Sequence, residues 1–172
     1  NEEFSEISSK QIFSKSTKRI LLVLLMLVIS STQVFADDLA TVKSMFQQYV
    51  NAANTYSPSL LNYYSPRAKI IRQVVKPNGQ TVNATTNMQT YAQQMKLSQG
   101  TAKLRKYTNK YTNITATKVP NGVKVSALRQ PMKDNYWLKT YQIWQKQPNG
   151  RWVIVEEMMQ TKEQIFLRYA DK

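Results

Sequence analysis

Residues 141–158 read YQIWQKQPNGRWVIVEEM, two runs rich in aromatic and β-branched residues on either side of Pro148-Asn149-Gly150. Asn-Gly between apolar runs is the strongest short-range signal of a β-hairpin, because both residues tolerate a positive φ. The stretch therefore predicts two antiparallel strands, over residues 136–147 and 152–161.

The same Pro-Asn-Gly motif occurs twice more, at residues 77–79 and 120–122. Residues 68–75, before the first of these turns, are apolar and β-branched with charges between them, which predicts a strand. Two further strands are predicted over residues 103–119 and 123–130, on either side of the other turn. Together with the hairpin at the end of the chain, they form a long antiparallel meander.

Two helices are predicted before the first strand. An amphipathic helix begins near Asp37 or Asp38, where a carboxylate suits the helix dipole. Its apolar positions recur at three- and four-residue steps: Leu39, Val42, Phe46, Tyr49, Val50 and Ala53. Ser57-Pro58 is typical of an N-cap followed by the first helical residue, and predicts a short second helix through Tyr63.

Two more helices are predicted later in the chain. Residues 87–98 carry apolar side chains on one face, and Gly100 is expected to end this helix as its C-terminal cap. Thr161-Lys162-Glu163-Gln164 resembles a capping box and predicts a short terminal helix.

The N-terminal region has the order of a secretory signal peptide. Basic residues at positions 15–19 precede an apolar run over 20–29, and a polar stretch then ends in Val34-Phe35-Ala36. The apolar run is much shorter than the roughly twenty residues that span a bilayer. We therefore expect cleavage near Ala36, which divides the chain into residues 1–36, the signal peptide with the residues before it, and a single domain over residues 37–172.

The composition indicates where this domain acts and what attracts it. The chain has no cysteine, so its core alone must hold the fold outside the cytoplasm, which favours a bacterial periplasmic or secreted protein.

The net charge of the whole chain is +14, from 24 basic and 10 acidic residues, which favours association with anionic surfaces. A solubilising charge without a dedicated partner is the alternative. No nucleic-acid-binding motif occurs, so nucleic acid is a disfavoured partner. The tightest basic group comprises Lys103, Arg105, Lys106 and Lys110.

The order of the predicted elements indicates an α+β domain, with helices on one face of a curved antiparallel sheet. This order, with the closing Tyr141–Met158 stretch and the sequence Gly150-Arg151-Trp152-Val153-Ile154 within it, resembles the NTF2-like (SnoaL-like) superfamily. The resemblance covers about residues 38–161. It implies a cone-shaped fold, in which a curved antiparallel sheet packs against about three helices around a pocket.

Enzymatic members of that superfamily place Asp or His in the pocket as a general base. This chain has no histidine, and no Asp or Glu between Leu39 and Lys133. The lack of His and Cys excludes Ser-His-Asp and Cys-His mechanisms and removes the usual zinc ligands. We expect no cofactor and no metal site.

Asp134, Glu156 and Glu157 are the remaining candidates for a general base. Asp134, beside Asn135, is expected to be a loop residue, which leaves the two glutamates. They are adjacent on a strand, so one of them faces the pocket and the other faces away. Burial would raise the pKa of the inward carboxyl and make it a plausible base. The alternative, which we favour, is an ion pair with a lysine on the neighbouring strand, and alternation makes Lys139 the best placed.

The resemblance also predicts which residues line the ligand pocket: Tyr49, Tyr91, Trp137, Lys139 and Tyr141. Our leading hypothesis is a non-enzymatic exported domain that binds a small apolar ligand or an envelope protein through its pocket or its basic surface. One alternative is a small isomerase or lyase, with the inward glutamate as base and Tyr141 as hydrogen-bond donor. The other is an assembly module that forms a homodimer through the aromatic strand over residues 136–144.

Overall fold

The computed structural model describes the backbone of residues 2–172 and the side chains of residues 17–27 and 34–172. Lys15, Val28 and Ile29 of the predicted signal peptide lie outside the described side chains. The chain divides into two compact units, Asn1–Asp38 and Leu39–Lys172. Within the part of the chain that the structure describes, no helix combines the length and the apolar character that a membrane span requires.

The first helix, α1, spans Glu2–Asn54. The prediction that a helix begins near Asp37 or Asp38 is therefore wrong, because the backbone is already helical long before these residues. Neither proline nor glycine occurs before Pro58, and straight-chain and leucine residues propagate a helix readily. Nothing in this stretch interrupts the helical backbone at the two carboxylates.

Six strands form a single curved and open sheet in the order β2-β1-β6-β5-β4-β3. All neighbouring pairs are antiparallel except β1 and β6, which are parallel. The predicted α+β architecture is confirmed. The strands are β1 Tyr64–Val75, β2 Thr81–Asn87, β3 Asn109–Val119, β4 Gly122–Pro131, β5 Leu138–Lys146 and β6 Trp152–Thr161.

The short helices at Ser57-Pro58 and at the C-terminus are confirmed as 3₁₀ helices, Pro58–Tyr63 and Gln164–Tyr169. The Ser57 hydroxyl accepts a hydrogen bond from the backbone N–H of Ser59 at 3.2 Å, as an N-cap does. No side chain caps the second of these helices, so the capping box predicted there does not form.

The helix predicted over residues 87–98 is longer than expected. The second α-helix, α2, spans Met88–Leu104, and Gly100 lies within it. Its C-terminus is a Schellman motif, in which the N–H of Tyr107 donates to the carbonyl of Ala102 at 2.9 Å. Lys106 takes the left-handed position with a φ of 51°. The prediction that Gly100 caps the helix is wrong, and β3 begins correspondingly later than predicted.

The core of the second unit lies between α1, α2 and the concave face of the sheet. Val42 and Phe46 of α1 are buried there, and so are Trp144 of β5 and Ile154 of β6. The Phe46 ring meets the edge of the Tyr111 ring at a centroid distance of 5.4 Å. Aromatic pairs of this geometry stabilise a core by about 0.5–1.5 kcal/mol beyond their buried area.

The three Pro-Asn-Gly turns join the predicted hairpins but differ in backbone conformation. Gly79 and Gly150 each adopt a φ of 84°, whereas in the middle turn Asn121 takes the positive φ, at 63°. The outer two are three-residue loops, in which a glycine in the left-handed region follows a type I turn. Gly122 has a different role, because a Cβ atom there would collide with the backbone carbonyl oxygen of Trp144 on the neighbouring strand.

We expect Gly122→Ala to lower the free energy of unfolding by about 1–3 kcal/mol, since backbone must shift to admit the new methyl group. Gly100→Ala is the matched control, because nothing lies within 4 Å of a Cβ at that helical position. It should stabilise the protein by about 0.5–1 kcal/mol. Denaturant unfolding of both variants measures the two effects, and shifts of the same sign would contradict the collision.

Candidate functional site

A β-bulge in β6 decides which glutamate faces the core. Ile154 pairs with Trp144 and Glu156 pairs with Ile143, so the register shifts by one residue at Val155. The bulge places Glu157 on the same face as Ile154, opposite Gln142. Glu157 is completely buried, whereas Glu156 is partly exposed.

Glu157 lies at the centre of a buried polar cluster that we call the Glu157 cluster. Its Oε2 atom accepts hydrogen bonds from the hydroxyls of Tyr64 at 2.6 Å and Tyr49 at 3.2 Å, and from Nε2 of Gln142 at 2.8 Å. Its Oε1 atom accepts from Nη1 and Nη2 of Arg72, both at 3.2 Å. The buried carboxylate is therefore fully hydrogen-bonded and paired with a guanidinium.

The partners of Glu157 are themselves held in place. The side-chain oxygen of Gln142 accepts from the indole N–H of Trp144 at 3.2 Å, which directs the amide nitrogen towards the carboxylate. Burial, together with the negative charge of Glu157, raises the pKa of Tyr49 and of Tyr64 well above 10. Both hydroxyls therefore stay protonated at neutral pH and act as donors.

The ion pair expected with Lys139 is formed by Arg72 instead. Lys139 is exposed, because the core-facing residues of β5 are those at positions 138, 140, 142 and 144. Tyr141 lies in the opposite phase, where its hydroxyl donates to Oε2 of Glu156 at 2.8 Å. Burial, and to a smaller extent this bond, raises the pKa of Tyr141 to about 12. Trp137 precedes the strand and is 44% exposed.

A cavity of about 450 Å³ lies between the end of α1, α2 and the concave face of the sheet. Of the five predicted pocket residues, Tyr49 and Tyr91 line it, and Trp137, Lys139 and Tyr141 do not. The other aromatic and aliphatic lining side chains include Leu60, Met95, Tyr107, Tyr111, Met159 and Phe166. The wall is thus mostly apolar, as in small-molecule sites generally.

Three arginines also line the cavity, and none of them was predicted from the sequence to do so. Arg72 forms the edge of the Glu157 cluster, Arg105 is exposed, and Arg129 of β4 is 6% exposed. Glu163 is the carboxylate among the lining residues, and it is exposed. Glu157 is not among them.

The Arg129 guanidinium is fixed by oxygen atoms that carry no net charge. Nη1 donates to the side-chain oxygen of Asn109 at 2.8 Å, and Nη2 donates to the carbonyl of Gln160 at 2.6 Å. Asn109 is held in turn by paired hydrogen bonds with the side chain of Asn54, at 2.9 and 3.0 Å. The Arg129 Nε atom is buried without a hydrogen-bond partner.

Metal binding finds no support in the side chains that the structure describes. Among them, no group of three or more His, Cys, Asp or Glu residues lies close enough together to hold an ion. What the site offers instead is an apolar volume, neutral tyrosine hydroxyls and guanidinium groups. These can hold a molecule with an apolar body and a polar or anionic group.

No protein-family model and no curated protein sequence matches this chain. Solved structures do resemble it. An NTF2-like protein of unknown function from Pseudomonas putida aligns with a TM-score of 0.57 at 10% identity, over 73% of this chain and 87% of that one. A protein of unknown function from the DUF3225 family, from Pectobacterium atrosepticum, aligns with a TM-score of 0.55 at 20% identity, over 73% and 91%.

A proposed dehydratase of the NTF2-like family from Streptomyces avermitilis aligns with a TM-score of 0.54 at 9% identity, over 73% of this chain and 96% of that one. The fold is therefore shared by proteins described as enzymes and by proteins of unknown function. At these identities the likeness concerns the fold alone, and it agrees with the resemblance seen in the sequence. The chain has the NTF2-like fold.

Proposed function

We propose that this chain is an exported, non-enzymatic protein of the bacterial envelope that binds a small apolar ligand in the cavity between α1, α2 and the sheet. The observation that carries the proposal is the cavity itself. Its volume of about 450 Å³ falls in the range of small-molecule sites, about 300–1,000 Å³. Its lining is dominated by aromatic and aliphatic side chains.

The isomerase or lyase alternative requires a carboxylate within hydrogen-bond reach of the ligand. Glu157 faces inwards, but it does not line the cavity, and both of its oxygens accept hydrogen bonds from neighbouring side chains. Arg72 and Tyr49, which do line the cavity, both donate hydrogen bonds to its carboxylate. A carboxylate in this arrangement supports the fold rather than proton transfer, which favours binding over catalysis.

N-phenyl-1-naphthylamine is a suitable neutral probe, because it is apolar and fluoresces on leaving water. We expect saturable binding of one probe per chain. Ala102→Trp should weaken this binding at least about tenfold, a loss of about 1.4 kcal/mol, because Ala102 lines the cavity and the indole would fill it. Fluorescence titration measures both affinities.

Ala40→Trp is the matched control, since it adds the same side chain at an exposed position of α1 outside the cavity lining. Its affinity for the probe should equal that of the parent protein. An absence of saturable binding to the parent protein would overturn the proposed function. So would equal binding by the Ala102→Trp variant, because the probe would then occupy some other surface.

A further inference from the structure

Arg129 is a buried cation without a counterion among the described residues. Its side chain is 6% exposed, and its two hydrogen bonds go to an amide oxygen and a backbone carbonyl. Arg72, the other inward-facing arginine of the cavity, is by contrast paired with Glu157. Both guanidiniums thus line the same cavity. Among the described residues, the charge of Arg72 is compensated by a carboxylate and that of Arg129 is not.

Burial of an uncompensated charge is expensive, costing several kcal/mol per ion in real proteins. Neutral oxygens satisfy hydrogen bonds but leave the net charge in place, and a water molecule at Nε would do the same. An anion against the guanidinium is the group that would compensate this charge. Arg129 lines the cavity, so a ligand in the cavity can supply that anion.

Tyr111 adds a neutral donor to the same wall. Its ring lines the cavity, and burial raises the pKa of its hydroxyl, with the positive charge of Arg129 acting in the opposite direction. The hydroxyl therefore remains protonated at neutral pH. At the exposed side of the cavity, Arg105 belongs to the basic group that includes Lys103 and Lys106. The charges of this region attract an anionic molecule and disfavour a cationic one.

We propose that the ligand is an apolar molecule with one anionic group, such as a carboxylate or sulfonate, and that Arg129 recognises this group. The inference rests on the proposed function, because it names the chemical class of the ligand for the same cavity. The apolar body lies against the aromatic lining, and the anionic group lies against the guanidinium. A neutral apolar molecule of the same shape leaves the charge of Arg129 uncompensated and binds more weakly.

Two probes that differ in one group test this. N-phenyl-1-naphthylamine is neutral, and 8-anilino-1-naphthalenesulfonate carries the same rings with a sulfonate. At 0.5 M NaCl, where the Debye length is about 4 Å, exposed lysines contribute little to affinity. We expect the intact protein to bind the sulfonate at least about tenfold more tightly than the neutral probe under these conditions.

The variant Arg129→Gln should reduce the preference for the sulfonate at least about tenfold while retaining binding of the neutral probe. Arg129→Lys, which keeps the charge but not the planar group of donors, should lie between the two. Arg67→Gln is the matched control, because Arg67 is exposed and does not line the cavity. It removes the same charge and should leave the preference unchanged.

The outcomes separate the two proposals. If neither probe binds the intact protein, the proposed function fails and this inference fails with it. If both probes bind with equal affinity at high salt, the cavity binds ligands but the recognition of an anion is wrong. If Arg129→Gln is unfolded by circular dichroism, the comparison of the two probes on the intact protein decides the question. An unchanged preference in a folded Arg129→Gln variant also overturns the inference.

Discussion

Replacement of Arg72 by methionine is expected to lower the free energy of unfolding by about 3–5 kcal/mol, because it leaves the buried Glu157 carboxylate without its counterion. Methionine keeps an unbranched apolar stem of similar length, so the change acts mainly on charge. Small domains are stable by about 5–15 kcal/mol, so the variant loses a large part of the total. Urea unfolding followed by circular dichroism measures the loss.

Two further variants identify its cause. Arg67→Met removes a charge from an exposed position of the same strand and should change stability by no more than about 0.5 kcal/mol. The double variant Arg72→Met/Glu157→Gln removes both charges and should regain roughly half of the loss or more. The Arg72 guanidinium also lies 5.1 Å from the centroid of the Tyr91 ring. A double variant as unstable as Arg72→Met would assign the loss to this contact rather than to the charge.

The protein is expected to unfold cooperatively as the pH rises above about 10. Burial, with the charge of Glu157, raises the pKa of Tyr49, Tyr64 and Tyr91 above 10. In the unfolded chain these phenols ionise near pH 10, whereas in the folded chain they stay protonated to higher pH. The contribution of the three tyrosines to the free energy of unfolding is therefore complete below pH 10, and it is lost as the pH rises towards the folded-state pKa values.

In this range each such tyrosine lowers the free energy of unfolding by about 1.4 kcal/mol per pH unit, and three together lower it by about 4 kcal/mol per unit. Absorbance at 295 nm reports phenolate formation, and its steep rise should coincide with the loss of the circular dichroism signal. Tyr91→Phe removes one ionisable group and should reduce the slope of stability against pH by about 1.4 kcal/mol per unit. Phenolate formation in full by a chain that stays folded would contradict the burial of these hydroxyls.

Most of the fold follows from local signals in the sequence. Pro-Asn-Gly turns need only the conformational preferences of their own residues, and alternation of apolar residues needs only the geometry of a strand. The last strand is predicted over the same residues that form it, 152–161. The end of α2 fails as a prediction because Gly100 is the expected left-handed residue, whereas Lys106 adopts that conformation.

Part of the site could also be predicted from the sequence. The inward alternation of Val123, Val125 and Ala127 continues to Arg129 two residues later, which marks this arginine as core-facing. Arg72 similarly occupies the alternating position between Ile70 and Val74. A basic residue in phase with a buried apolar series therefore signals a buried charge that needs a partner.

The sequence alone could not predict which of the two glutamates faces inwards. In a regular strand, Glu156 would lie on the same face as Trp152 and Ile154. The bulge at Val155 places Glu157 on that face instead. A bulge depends on the pairing of β6 with β5, which no pattern within one strand records. The sequence also could not show which face of β5 packs against the core, because both faces carry aromatic residues. Tertiary packing buries the face that carries Trp144.

The parallel pairing of β1 with β6 ties the beginning of the sheet to its end and so constrains when the fold can form. Arg72 and Glu157 are 85 residues apart, and their strands meet only after the intervening chain has been made and ordered. Contacts between such distant segments raise the contact order and slow folding, because the entropy of closing a long loop is lost before the contacts form. A nascent chain that lacks β6 has neither the centre of its sheet nor the carboxylate that neutralises Arg72. The topology thus delays the stable fold until β6 has been synthesised and can pair with β1.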